Sequence, residues 1–150
     1  MITIRKATSG DIDRLAALFD LYRIFYQQPP DMAGAIKFLN DRLANNESMI
    51  FIAEQEDAFV GFTQLYPIFS SVSMQRAWLL NDLYVLASAR KKGVAAMLLE
   101  GARQFGIQTN AKYLLLETQK DNFAAQSVYE KNGWARTSDY FYELSLPVNN

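Results

Sequence analysis

Apolar and polar residues follow two periods along this chain, and the switches between them mark its elements. Ile2 and Ile4 flank Thr3 in the two-residue period of a short strand. From Ile12 the period lengthens. Ile12, Leu15, Ala16, Phe19, Tyr22 and then Phe25 or Tyr26 recur as one face of a helix. Thr8 or Ser9 can cap it, and Asp11 and Asp13 fall in the first turn, where the positive end of the helix dipole favours acids. Pro29-Pro30 ends this helix, because proline has no N–H to donate and restricts the residue before it. Asp31 can cap a second helix carrying Ala35, Phe38, Leu39 and Leu43, with Asn45-Asn46 as its stop.

The period then shortens again. Residues 48–54 (SMIFIAE) and 58–66 (AFVGFTQLY) predict two strands, joined into a hairpin by Gln55-Glu56-Asp57. Gly61, in the middle of the second, marks a bulge or a close backbone approach. Residues 67–73 read as a loop, and 75–86 as a long central strand. Val94, Met97, Leu98, Gly101 and Phe105 return to helical spacing. Residues 112–118 (KYLLLET) form a near-continuous apolar run, the signature of an interior strand. Residues 122–131 predict a short helix with Ala125, Val128 and Tyr129 on one face, stopped by Asn132-Gly133. Strands at 134–136 and 140–146 complete an order of β-α-α-β-β-β-α-β-α-β-β. An antiparallel meander followed by alternating strands and helices predicts a mixed sheet with helices on both faces.

Composition narrows the chemistry. A chain of 150 residues, half of them hydrophobic, is read as one domain spanning 1–150. Cysteine and histidine are both absent, which removes a thiolate nucleophile, a Ser-His triad and the commonest metal ligands. No metal is expected. Proton transfer must fall to carboxylates, Tyr, Lys, backbone or water. A net charge of -1 implies no nucleic-acid surface. The N-terminus turns charged at Arg5 and Lys6 and no long apolar run follows, so neither a signal peptide nor a membrane partner is expected, and the location is read as cytoplasmic.

Between the central strand and its helix sits Arg90-Lys91-Lys92-Gly93-Val94-Ala95. A basic, small-residue turn opening a helix can hold an anion, because the first helical N–H groups are unpaired and the dipole is positive there. About thirty residues on, beyond a strand, comes NFAAQSVYEKNGW at 122–134. The first segment resembles the R/Q-x-x-G-x-G/A loop of the GNAT superfamily of N-acetyltransferases, and the second resembles its N-x-x-A-x-x-x-Y-E-K-x-G-F segment. The likeness covers nearly the whole chain. It implies an α/β fold of GNAT type: a mixed, mostly antiparallel sheet of about seven strands, helices on both faces, and a splay between strands 4 and 5. It also implies acetyl-CoA as co-substrate.

The resemblance implies residue roles too. The amides of Lys91, Lys92, Gly93, Val94 and Ala95, with Arg90, would hold the pyrophosphate. The strand edge at Leu83, Tyr84 and Val85 would pair with the pantetheine arm. Asn122 and Ala125 would contact the cofactor, and Tyr129 would be the general acid for the leaving thiolate. Residues 80–85 (LNDLYV) resemble the L-E-D-L/F-Y/F-V pattern of the histone/polyamine-type branch, in which the Glu is the base. Here that position is Asn81, which takes no proton at physiological pH. Glu117 is the alternative base, Asp82 can hold a substrate ammonium, and Asn81 and Asp82, both on the substrate side, can relay a proton through water in place of a formal base. Residues 22–28 (YRIFYQQ) resemble a segment of the same branch, so Tyr22, Phe25 and Tyr26 would wall an amine pocket. Arg23 would point elsewhere or meet a carboxylate.

The expected reaction is direct acetyl transfer to a primary amine of a small molecule, a polyamine or an amino-acid-like acceptor. The alternatives are transfer to a protein N-terminus or lysine, and a non-catalytic acyl-CoA-binding sensor. Tyr140-Phe141-Tyr142 is too apolar for an exposed edge, which predicts a homodimer.

Overall fold

The computed structural model describes residues 1–148. In chain order the elements are β1 (Ile2–Lys6), a 3-10 turn (Ser9–Asp11), α1 (Ile12–Phe25), α2 (Met32–Ala44), β2 (Met49–Gln55), β3 (Ala58–Ser70), β4 (Gln75–Val85), a second 3-10 turn (Ala87–Ala89), α3 (Val94–Gln108), β5 (Leu114–Leu115) and α4 (Phe123–Lys131). The predicted cap of α2 forms: Asp31 Oδ1 accepts from Gly34 N at 2.9 Å.

The sheet order is β1-β2-β3-β4-β5. The first four strands are an antiparallel meander, and β5 lies parallel to β4. Alternation along β2 divides the core. Ile50 and Ile52 pack with Leu15, Phe19, Ala35 and Leu39 of α1 and α2, whereas Phe51 and Ala53 pack with Val94, Leu98, Ala102 and Phe105 of α3. Helices therefore cover both faces, as the sequence predicts. Among the described residues no helix is long and apolar enough to cross a membrane.

Gly61 meets both expectations placed on it. Opposite Ala53 and Glu54 the register skips one residue of β3, so Val60 is the extra residue of a bulge. A Cβ on Gly61 would lie 3.0 Å from the Tyr84 carbonyl oxygen and 3.3 Å from side-chain atoms of both Leu98 and Val94. Gly61→Ala is therefore expected to destabilise the fold by about 1–3 kcal/mol through overpacking. Thermal melts of the two proteins check this; equal midpoints would mean that β3 and β4 part without cost.

The strand predictions need three corrections. β3 runs on through Pro67 to Ser70, where a loop was predicted. Its pairing with β2 stops at Leu65, so beyond that point β3 is an edge, where a residue lacking an N–H is tolerated. The interior strand predicted at 112–118 shrinks to the two residues of β5. The strands predicted at 134–136 and 140–146 do not form. The sheet thus has five strands rather than about seven. A strand exists only when it has a neighbour, and among the described residues the segments 134–136 and 140–146 pair with none.

The pairing of β4 with β5 is confined to Trp78–Leu114 and Leu79–Leu115. β4 continues to Val85, so along 80–85 its outer edge has no strand beside it. The predicted splay between strands 4 and 5 is this opening.

Candidate active site

The opening is lined from β4, whose phase changes at one residue. Gln64 pairs with Asp82 and Leu65 with Leu80, which leaves Asn81 as the extra residue of a bulge. Before it, Trp78 and Leu80 face α3. After it, the α3-facing residues are Leu83 and Val85, and Tyr84 faces α1. Without the bulge Asp82 would share a face with Leu80. With it, Asp82 turns to the α1 side and is 4% exposed there.

Three side chains serve the Asp82 carboxylate. Gln64 Nε2 donates to Oδ2 at 2.6 Å, Asn81 Nδ2 donates to Oδ1 at 3.0 Å, and the Tyr22 hydroxyl is the third partner. Ser48 Oγ donates to Gln64 Oε1 at 2.6 Å. That bond fixes the amide so that its NH2 faces the carboxylate. Burial pushes Asp82 above the usual carboxylate range, and the three donors hold it back in part. Burial also raises the Tyr22 and Tyr66 phenols, with the nearby Asp82 charge adding to the effect. Gln64 and Tyr66 did not emerge from the sequence. The one available signal was a glutamine inside the apolar run FTQLY.

Aromatic rings extend from this carboxylate toward solvent. Tyr22 lies 5.1 Å from Tyr26 and 5.9 Å from Tyr84, and Phe25 lies 5.3 Å from Tyr26 and 6.4 Å from Tyr84, measured between ring centroids. Phe25 and Tyr26 are exposed, so the wall has an open side. Arg23 turns away from it, donating to Asp20 Oδ1 at 2.8 Å and the Pro29 carbonyl at 3.0 Å. Tyr129 is half-buried in α4 and packs on Trp134 with centroids 6.3 Å apart. Burial raises its phenol pKa, and the Tyr26 charge adds to the shift.

The basic turn closes the other end. Gly93 precedes α3 with φ +80° and no side chain caps the helix, so its first-turn N–H groups face outward without a protein acceptor. Lys91 and Lys92 are exposed beside it. Val94 is 2% exposed because its side chain enters the core below its amide. Arg90 folds back instead of extending: its Nε donates to the Val85 carbonyl at 2.9 Å, and its guanidinium lies 5.8 Å from the ring centroids of Phe25 and Tyr84. It therefore links the basic turn, the open β4 edge and the aromatic wall.

Asn122 caps α4, its Oδ1 accepting from Ala125 N at 3.1 Å. Glu117 is exposed beyond β5. The structure thus brings Tyr22, Phe25, Tyr26, Asn81, Asp82, Tyr84, Arg90 and Tyr129 together. Glu117 is not drawn into that cluster, and Asn122 and Ala125 stand at the start of α4.

Comparison with known proteins agrees with this geometry. Residues 15–134 match the model of the acetyltransferase (GNAT) family. An uncharacterized N-acetyltransferase, YhfO, of Bacillus subtilis is 47% identical over 148 residues, 98% of this chain and 99% of that protein. A probable acetyltransferase of Haemophilus influenzae is 33% identical over 94% of this chain and 96% of its own. A crystal structure of a probable acetyltransferase superposes with a TM-score of 0.88 at 42% identity, covering 99% of both chains.

Proposed function

The chain belongs to the GNAT acetyltransferase family, whose members use acetyl-CoA, and from that premise we propose that it acetylates the primary amine of a small molecule. The observation that carries the acceptor class is the buried Asp82 carboxylate behind an aromatic wall, an arrangement that attracts a compact ammonium group. Polyamines and amino-acid-like amines both remain within that class. So does the likeness of 80–85 to the histone/polyamine-type branch.

The residues present fit acetyl-CoA. The uncapped start of α3, with Gly93 and two exposed lysines, supports binding of its pyrophosphate, and the unpaired edge of β4 supports strand-like pairing with its arm. Acetyl-CoA supplies an acetyl group activated as a thioester, with a thiolate as leaving group. The protein's part is to remove a proton from the ammonium and to deliver one to the departing sulfur. Tyr22 can accept the ammonium proton on its oxygen while passing its own to Asp82, so that two protons shift, the phenol ends neutral and Asp82 holds the one net proton taken from the amine. Burial makes Asp82 a better acceptor than an ordinary aspartate. Tyr129, which burial keeps protonated, stands as the donor to sulfur. Glu117 is a second candidate base.

A thiol-release assay with acetyl-CoA tests this against polyamines, amino acids, aminoglycosides and basic peptides, with a no-acceptor control. Turnover of one small-amine class is expected. The exposed faces of Leu21, Ile24, Phe25 and Tyr26 favour a peptide as the second reading, and turnover of peptides alone would establish it. Acetyl-CoA binding without turnover of any amine would leave the sensor reading. Glu117→Gln belongs in the same assay, since an unaltered pH profile would remove it as base.

Gln64→Leu offers a sharper check on Asp82. Losing a donor to the charged oxygen is worth roughly one to two pKa units. The acid limb of the kcat/KM profile should therefore move to higher pH by about that much in the variant. A limb that stays in place separates Asp82 from the reaction. The reading also includes a homodimer and a cytoplasmic location.

A further inference from the structure

A fixed cation is an unfavourable neighbour for an ammonium pocket, and Arg90 stands beside this one. Its guanidinium carbon lies 5.8 Å from the ring centroids of both Phe25 and Tyr84. Tyr84 in turn lies 5.9 Å from Tyr22, which bonds the buried Asp82. A wall with a guanidinium already over two of its rings repels a second positive charge at that end. Asp82 is the one carboxylate of the cluster. A polyamine would therefore find a partner for its first ammonium and a cation near its next.

Arg90 is also held in place. Leu86 N donates to the Val60 carbonyl of β3 at 2.9 Å, so the carbonyl of the preceding Val85 points to the open edge of β4. Arg90 Nε donates to that carbonyl at 2.9 Å. The bond and the two rings orient the guanidinium, and its terminal nitrogens meet no protein acceptor among the described residues. They form the planar fork that matches a carboxylate. Pyrophosphate binding does not need this side chain, because the first-turn amides of α3 and the exposed Lys91 and Lys92 already face outward. A cofactor amide need not displace it either, since a carbonyl oxygen has two lone pairs. Arg23, the other arginine near the wall, is engaged by Asp20 and the Pro29 carbonyl.

We propose that Arg90 binds a carboxylate carried by the acceptor, which makes the acceptor an amino acid whose ammonium sits at Asp82. Each charge then has its opposite: the ammonium meets the buried carboxylate at the inner end of the wall, and the acid meets the exposed guanidinium at the outer end. Arg90 becomes a specificity residue on the acceptor side rather than a cofactor ligand. The proposal rests on the small-amine reading and chooses within it against polyamines.

Matched substrates test it: lysine with cadaverine, ornithine with putrescine, and phenylalanine with phenethylamine. The members of each pair differ by the carboxylate alone. In every pair that turns over, wild-type kcat/KM should favour the amino acid by about ten-fold or more. In Arg90→Met that preference should collapse, through the KM of the amino acid rather than through kcat. Arg90→Glu should reverse it, toward cadaverine and putrescine. An equal loss with both members of every pair would make Arg90 structural and overturn the proposal. A wild-type preference for the diamines that both variants leave intact would overturn it too, with small-amine acetylation standing and a polyamine as acceptor. An effect of Arg90→Met confined to the KM of acetyl-CoA would return the residue to the cofactor. Turnover of none of these amines would remove the small-amine reading and this proposal with it.

Discussion

Tyr129→Phe is expected to lower kcat about 100-fold or more while changing acetyl-CoA affinity only a few-fold. The hydroxyl is the sole atom lost. The ring stays in its packing against Trp134 and the α3-side core, so the binding surface is kept. What disappears is the proton donor to sulfur. Burial raises this phenol's pKa, so it is protonated throughout the neutral range and can give a proton or a hydrogen bond at the moment the thiolate forms. Steady-state kinetics paired with calorimetric binding of acetyl-CoA make the check. An unchanged kcat would remove Tyr129 as the acid, and a parallel loss of affinity would make it a binding residue instead.

Asp82→Asn is expected to cost a further large factor, about 100-fold in kcat/KM at neutral pH, with a change in the shape of the pH profile. The sign follows from the active form. The carboxylate must be ionised to accept the proton, so activity falls as pH drops through its pKa. Burial has raised that pKa, and the acid limb should therefore lie above the ~3.9 of an ordinary aspartate. In the asparagine variant that limb should vanish. Comparing both proteins with the same amine isolates the enzyme's contribution, because the titration of the free amine is common to both. A variant that keeps both rate and limb would show Asp82 to be structural, and the proton route would move to Glu117 or to water.

Local rules made the first part of this chain legible. Asp31 and Asn122 cap the helices that follow them, as their side chains and spacing predict. The turn at 55–57 forms tightly, with Glu56 and Asp57 both in the left-handed region. The turn into α3 forms where the basic residues and Gly93 placed it. What stayed hidden depends on distant partners. The runs at 112–118 and 140–146 have the composition of strands, but composition cannot say whether a neighbour stands beside them to pair with. The burial of Asp82 was hidden for another reason. Period-two reading assigns it the face of Leu80, and only the bulge at Asn81 moves it to the other side. In the family pattern Asn81 stands where a base is expected. It is instead the hinge of that shift and a donor to the carboxylate. Gln64 went unnoticed because its partners, Ser48 and Asp82, come from other strands and loops.

The bulge at Asn81 divides β4 into two stretches that evolution or an engineer can edit independently. Upstream of it, substitutions at Trp78 or Leu80 enter the α3 core and register in melting curves. Downstream, Asp82 and Tyr84 belong to the candidate site, and substitutions there are expected to register in turnover. Excising the single residue Asn81 would slide one stretch into the frame of the other, sending the carboxylate into the hydrocarbon interior. Among substitutions and deletions in this strand, the loss of the exposed Asn81 would then be among the most damaging, although no catalytic atom is removed.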